Sequence, residues 1–281
     1  MQKIALITDS ACDLDLNTLK ENNINLLPLR IIYSNGDYRD RLDISPQEVY
    51  DNLEKEVPKT SLPSAQETEE TLNKLEEEGY THVICISISS GLSGSFNAIR
   101  LALEDHPKLT SFVYDSKILA YPQGEIVLEV AKLIKEGKSF EEIVKEIPEI
   151  RKRVIGYFTI NTLEYLKKGG RIGRLAGTDG ELLNLKPIIT TDEDGVYYNV
   201  AKVRGRKQSL SKMTELLKEY LAKGKCEVAV LHAGCEDEAI KYMNSLKDLT
   251  NVVSIKIAEI SPALGIHGGP GLIGLSVKMV K

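Results

Sequence analysis

The chain has 281 residues, 42 % of them hydrophobic, and a formal net charge of −5. That length suffices for two domains of ordinary size around a large core, and the composition excludes a fibre or a disordered chain. The acidic balance argues against nucleic acid as the main partner, since phosphate binding calls for a basic face, and no run approaches the ~18 apolar residues of a membrane span.

In chain order, KIALIT (Lys3–Thr8) is an apolar strand that begins too soon for a secretory leader, and DLNTLKEN is a helix. INLLPLRIIY (Ile24–Tyr33) is a second strand in which Pro28 marks an edge or a bulge, and SNGD then turns the chain. Ser64 with Glu67 forms a capping box that opens a helix ended by Gly79. THVICISI is the next strand, a helix follows Ser93, LTSFVY (Leu109–Tyr114) is a strand, and two helices follow, the second opened by Ser139 with Glu142. Strand–helix alternation of this kind predicts a doubly wound parallel sheet with helices on both faces.

The pattern changes near Val154. VIGYFTI is a strand, Asn161 with Glu164 caps a short helix ended by Gly169–Gly170, and PIITTDEDGVYYNVAKV is a hairpin turning at DEDG. A helix (Gln208–Ala222), the strand CEVAVLH, a helix (Glu236–Leu246) and the strands NVVSIKIAEI and GLIGLSVKMV complete the chain. The fold class expected is α/β in two domains. Residues 1–154 form a Rossmann-like parallel sheet flanked by helices, residues 155–281 an α+β unit with a mixed or antiparallel sheet, and the ligand lies between them. The cysteines Cys12, Cys85, Cys226 and Cys235 include no CxxC pair, so neither a metal site nor a disulfide framework is expected. A reduced, cytoplasmic protein follows.

Polar residues gather where three strands end: Thr8-Asp9-Ser10, then Ser87, Ser89, Ser90 and Ser93, then Asp115-Ser116. Ligands of doubly wound sheets bind beyond the carboxyl ends of strands, and a rim of hydroxyls and outward N–H groups suits an anion. Each residue alone reads equally as a helix cap. In KTSLPS, Ser64 is taken by the capping box, which leaves Thr60 and Ser61 in an extended loop. Ser93 with His267 is compatible with a serine hydrolase, although GLSGS departs from the G-x-S-x-G elbow and no acidic partner stands out. The glycines of GIHGGPGLIG precede a strand-like run and include Pro270, which disfavours a dinucleotide loop. Two basic stretches, KKGGRIGR and KVRGRKQ, suit a phosphate or an acidic partner.

Taken together, TDSACDL, PLRI, KTSLPS, SSGLSGSFNA, YDS, LEYLKKGGRIG, NLKPIIT…DGV…KVRGRK and HGGPG resemble, in order and nearly end to end, the DegV family of bacterial fatty-acid-binding proteins. The resemblance implies one long-chain fatty acid, such as palmitate or oleate, between two domains. Its carboxylate would lie on Ser61 and Ser93, with Thr60 and His267 close by and Ser95 and Arg171 as secondary headgroup candidates. It implies a non-catalytic binding subunit that presents its ligand to an ATP-dependent fatty-acid kinase for acyl-phosphate formation and phospholipid synthesis. Lys202, Arg204 and Arg206 would form the docking surface. No cofactor other than the fatty acid is expected, nor a role for nucleic acid. A monomer that touches membranes transiently fits this reading, and a lipid carrier without a kinase remains its alternative. The family usually has Thr at the position of Ser95 and often Gln at that of Leu62.

A carboxylate held by neutral hydroxyls at a helix N-terminus stays free to react, and His267 is expected to add a switchable positive charge. The apolar faces of Asn97–Leu103 and Ile126–Ile134 are candidate walls for the tail.

Overall fold

The computed structural model describes residues 2–175 and 185–281. Asn184, which opens the NLKPIIT stretch, lies outside them.

The first half is an alternating unit. Strands β1 (Ile4–Asp9), β2 (Ile24–Leu27), β6 (His82–Ser87) and β7 (Thr110–Asp115) form a parallel sheet in the order β2-β1-β6-β7. Its two central strands are buried on both faces, which is why IALITD and HVICIS read as nearly continuous apolar runs. Helices α1 (Leu16–Glu21), α3 (Ala65–Glu77), α4 (Ser95–Glu104) and α5 (Ala120–Lys135) follow successive strands, and α6 (Phe140–Lys152) packs beside α5.

The stretch Ile24–Tyr33, expected as one strand, is two. Pro28 has no N–H to give a ladder, and the chain leaves the parallel sheet there. β3 (Arg30–Tyr33) starts a separate antiparallel sheet with β4 (Gly36–Arg39) and β5 (Lys59–Ser61), in the order β4-β3-β5. KTS is thus a strand rather than a loop, with Ser61 opposite Arg30 and Thr60 opposite Ile31. The short helix α2 (Pro46–Asn52) joins β4 to β5, opened by a capping box of Ser45 and Glu48.

The second half is a six-stranded mixed sheet, β10-β9-β8-β13-β11-β12. Its strands are β8 (Val154–Thr159), β9 (Leu185–Thr191), β10 (Tyr197–Arg204), β11 (Cys226–His232), β12 (Val252–Glu259) and β13 (Ile273–Met279). Helices α7 (Glu164–Lys168), α8 (Arg206–Leu221) and α9 (Glu236–Leu246) complete it with α10 (Pro262–Gly268), a helix not expected from the sequence. Helix α5 touches β1 and β6 on one side and β8 and β13 on the other, so it lies between the two large sheets. One apolar cluster accordingly runs through both halves, from Leu6 and Ile84 to Leu231 and Leu272.

Two expected caps take other forms. Ser64 accepts from Glu67 N–H, but the Glu67 carboxylate pairs with Arg30 at 3.0 Å instead of closing the box. Asn161 does not cap α7: its side chain donates to Pro270 O, and the Thr162 hydroxyl accepts from Glu164 N–H. The box of Ser139 with Glu142 forms in full.

Candidate functional site

Most hydroxyls at the strand ends turn inward. Asp9 is fully buried and accepts from Ala11 N–H, Ile88 N–H, the Ser87 hydroxyl and the Gln123 amide. Thr8 donates to Ile86 O, Ser89 to Gly195 O and Ser116 to Ile118 O. The expected open anion rim is therefore mostly an internal lattice, because a buried polar group must find a partner or lose its hydration uncompensated. The lattice fixes the loop from Ser87 to Gly94. A Cβ on Gly91 would stand 2.8 Å from the Asp194 and Gly195 carbonyls, so this loop needs glycine to lie against the β9–β10 turn.

Ser93 stands at the end of that loop, before α4. Its Oγ accepts from Ser95 N–H at 3.3 Å and lies 2.9 Å from Ser95 Oγ, with Ser95 buried behind it. Four more residues reach the same cavity from three other elements. β5 brings Thr60 and Ser61, the turn after α7 brings Arg171, and α10 brings His267. Together they line a chamber of about 210 Å³. Arg171 is held by its donations to Gly169 O at 2.7 Å and Leu92 O at 3.2 Å. The Ser61 hydroxyl has no partner among the described residues and is exposed.

Thr60 Oγ1 lies 2.6 Å from His267 Nε2. The other ring nitrogen, Nδ1, is buried without a partner and abuts Gly169, where any side chain would collide with the ring. Burial, and secondarily the charge of Arg171, pulls the imidazole down from 6.5 to about 4. His267 is thus neutral at neutral pH, and the expected switchable positive charge is overturned. Arg171 supplies the positive charge of the chamber.

A second cavity, enclosing about 50 Å³, lies beside the first between α5 and the six-stranded sheet. Pro122, Phe158, Leu166, Leu231 and Leu272 are among its walls, and Leu119, Tyr197 and Leu264 line both cavities and form the junction. Two threonines in its wall keep their hydroxyls on backbone: Thr190 donates to Gly156 O and Thr191 to Lys117 O. The surface is apolar as a result. The walls expected at Asn97–Leu103 and Ile126–Ile134 do not line this cavity, because those helix faces pack into the cores.

Of the basic candidates, only Arg171 belongs to the chamber. Lys202 and Arg204 are exposed on β10. Arg206 is committed to the fold through Glu238, at 2.8 and 2.9 Å, and through Gly271 O. The hydrolase pair does not form either. Ser93 Oγ bonds Ser95 and His267 bonds Thr60, with no carboxylate on Nδ1, whereas a serine nucleophile needs its base and the base an orienting partner. Sequence reasoning missed Leu119, Tyr197 and Leu264, whose apolar side chains look like ordinary core.

A family model whose description reads "Uncharacterised protein, DegV family" matches residues 3–279. The chain belongs to the DegV family. A DegV domain-containing protein of Clostridium perfringens is 51 % identical over 278 residues, 99 % of each chain. Among solved structures, DegV of Bacillus subtilis, named as a fatty acid binding protein, superposes with a TM-score of 0.92 at 31 % identity, over all of both chains. A stearic-acid-binding protein of Eubacterium ventriosum superposes with a TM-score of 0.87 at 29 % identity, covering 99 % of this chain and 98 % of its own. The α/β architecture, a parallel sheet flanked by helices beside a mixed sheet, is that of these DegV structures. Among the described residues no helix is long and apolar enough to cross a membrane, and no group of three or more His, Cys, Asp or Glu could hold a metal ion.

Proposed function

We propose that this protein binds one long-chain fatty acid, with the carboxylate in the hydroxyl chamber and the tail in the apolar cavity beyond Leu119, Tyr197 and Leu264. The observation that carries this reading is a chamber bearing hydroxyls and Arg171 that adjoins an apolar cavity through three shared wall residues. The DegV proteins that bind fatty acids support the ligand class. In the chamber, Ser61 and Ser93 donate hydroxyl protons to the carboxylate, Arg171 supplies the compensating charge, and Thr60 and neutral His267 fix the wall. The tail provides most of the energy. A chain of about sixteen carbons gains on the order of 12 kcal/mol gross, from which ordering and immobilisation are subtracted. Binding of palmitate against 1-hexadecanol by calorimetry tests the headgroup assignment. The acid should bind about tenfold tighter or more, and equal affinities would contradict it.

The protein presents the bound acid to a phosphoryl-transferring partner rather than acting on it. This second reading is supported by the position of Ser93 and Arg171. Both also line a polar surface hollow formed with Ser90, Gly91 and Gly170, so the headgroup chamber borders solvent. The missing nucleophile–base contact supports a binding role over a hydrolase.

A further inference from the structure

We propose that Asp40 is a positioning residue for the carboxylate chamber: from the end of β4 in the small antiparallel sheet it anchors α10, and thereby keeps His267 against Thr60. The inference rests on the fatty-acid reading above. Helix α10 has seven residues, with Gly265 and Gly268 among them, and a helix that short and that rich in glycine does not hold itself. Its first turn is tied from the other half of the chain. Ala263 N–H donates to Asp40 Oδ1 and Ser261 N–H to Asp13 Oδ1, each at 2.9 Å. Ser261, its own N-cap, accepts from Leu264 N–H at 3.4 Å.

Asp40 also reaches the chamber floor. Its Oδ2 accepts from Ser10 Oγ at 2.6 Å, and Ser10 Oγ accepts in turn from Leu29 N–H at 3.0 Å. Its backbone N–H donates to Leu29 O at 2.9 Å. Leu29 lines the chamber, as do Leu264 and His267 of α10. One fully buried carboxylate thus connects two walls of the site. One guanidinium stands near both acids, Asp40 and Asp13: Arg41 donates to Asp13 Oδ1 at 3.0 Å and to Glu259 O at 2.9 Å, and acts on Asp40 through its charge alone. The excess negative charge faces a helix N-terminus, where it is favoured. Burial nevertheless pushes the Asp40 carboxyl up to about 6, so it is kept in place against its solvation preference. Tyr50 packs on Gly265 from α2, but its hydroxyl has no partner among the described residues and gives α10 no polar tie. At the far end of α10 the tie is Thr60 to His267.

The test compares Asp40→Ala with Asp40→Asn, whose amide can accept from Ala263 and donate to Ser10. Two quantities are read: the pH titration of the His267 imidazole by NMR without ligand, and palmitate affinity. In the wild type, burial should hold the His267 titration well below 6.5, at about 4. In Asp40→Ala it should rise by about one unit or more as α10 loosens and the ring gains water, and palmitate should bind about fivefold weaker or more. Asp40→Asn should restore both. A folded Asp40→Ala protein whose His267 titrates as in the wild type overturns the proposal, as does an asparagine variant that restores neither quantity. Should Asp40→Ala not fold, Ser10→Ala removes the hydroxyl that orients the Asp40 carboxylate and carries the same expectation. Because the titration needs no ligand, a wild type that takes up no palmitate would sink the fatty-acid reading alone.

Discussion

Thr60 and His267, 207 positions apart in the chain, meet at 2.6 Å where the small antiparallel sheet faces α10. The contact joins the two halves in the wall of the chamber. It also fixes the imidazole on its Nε2 side, while burial keeps the ring uncharged. On the proposed reading, the ligand's charge would be balanced by Arg171 and by hydroxyl donors, not by histidine.

Removing the hydroxyls should weaken the ligand without harming the fold. Ser61 is exposed and Ser93 bonds only at the loop end, so neither supports the core. Each deletion should cost about 1–2 kcal/mol of binding, and Ser61→Ala with Ser93→Ala about tenfold or more in affinity. Calorimetry with palmitate, alongside circular dichroism, checks this. Unchanged affinity in the folded double variant would reject the headgroup assignment.

His267 predicts a pH signature in stability. Its value falls from 6.5 unfolded to about 4 folded, so its contribution is complete above 6.5 and is lost as pH drops from there through about 4. Asp40 works in the opposite sense: raised from 3.8 to about 6, it favours the fold at low pH and loses that contribution as pH rises through about 6. His267→Asn isolates the first effect. Between pH 7 and pH 4 the wild type should lose about 3 kcal/mol more than the variant in urea unfolding. Parallel profiles would show that His267 is not buried neutral.

Gly169 should tolerate no side chain. Its φ is −78°, ordinary for any residue, so the restriction is the His267 ring against it. Gly169→Ala should cost about 1–3 kcal/mol in stability by overpacking and displace the imidazole. A denaturation midpoint and palmitate affinity both equal to those of the wild type would contradict this packing.

Lys278 offers a control that lines neither cavity. It is nearly buried and pairs with Glu125 at 3.1 Å, Glu129 at 2.9 Å and Glu227 at 2.8 Å, which ties α5 to β13 and β11. Lys278→Met strands the buried Glu125 carboxylate and should cost about 3–5 kcal/mol, part of it recovered by adding Glu125→Leu. Urea unfolding of the two variants decides. A single variant as stable as the wild type would mean that the cluster is not a structural tie.

Much of the fold is legible because local signals and burial agree. CEVAVLH and Glu236–Leu246 form the expected strand and helix to the residue, and Ser139 with Glu142 caps as its spacing demands. Pro28 is a legible interruption, yet nothing local tells that the strand after it joins another sheet. Helix α10 was hidden because its supports, Asp13 and Asp40, lie more than two hundred positions away and its own sequence, PALGIHG, is poor in helix formers. Thr60, Ser61, Ser93, Arg171 and His267, which line the chamber, could be named from motifs. The apolar cavity could not be foreseen, since Leu119, Tyr197 and Leu264 differ from core residues only by what they fail to touch.

Native mass spectrometry of the purified protein, followed by denaturing extraction and uptake of added palmitate, tests whether this protein holds a fatty acid. One long-chain fatty acid per chain should be bound, retained through purification or taken up stoichiometrically. A mass equal to the bare polypeptide, unchanged after incubation with palmitate or oleate, would contradict it.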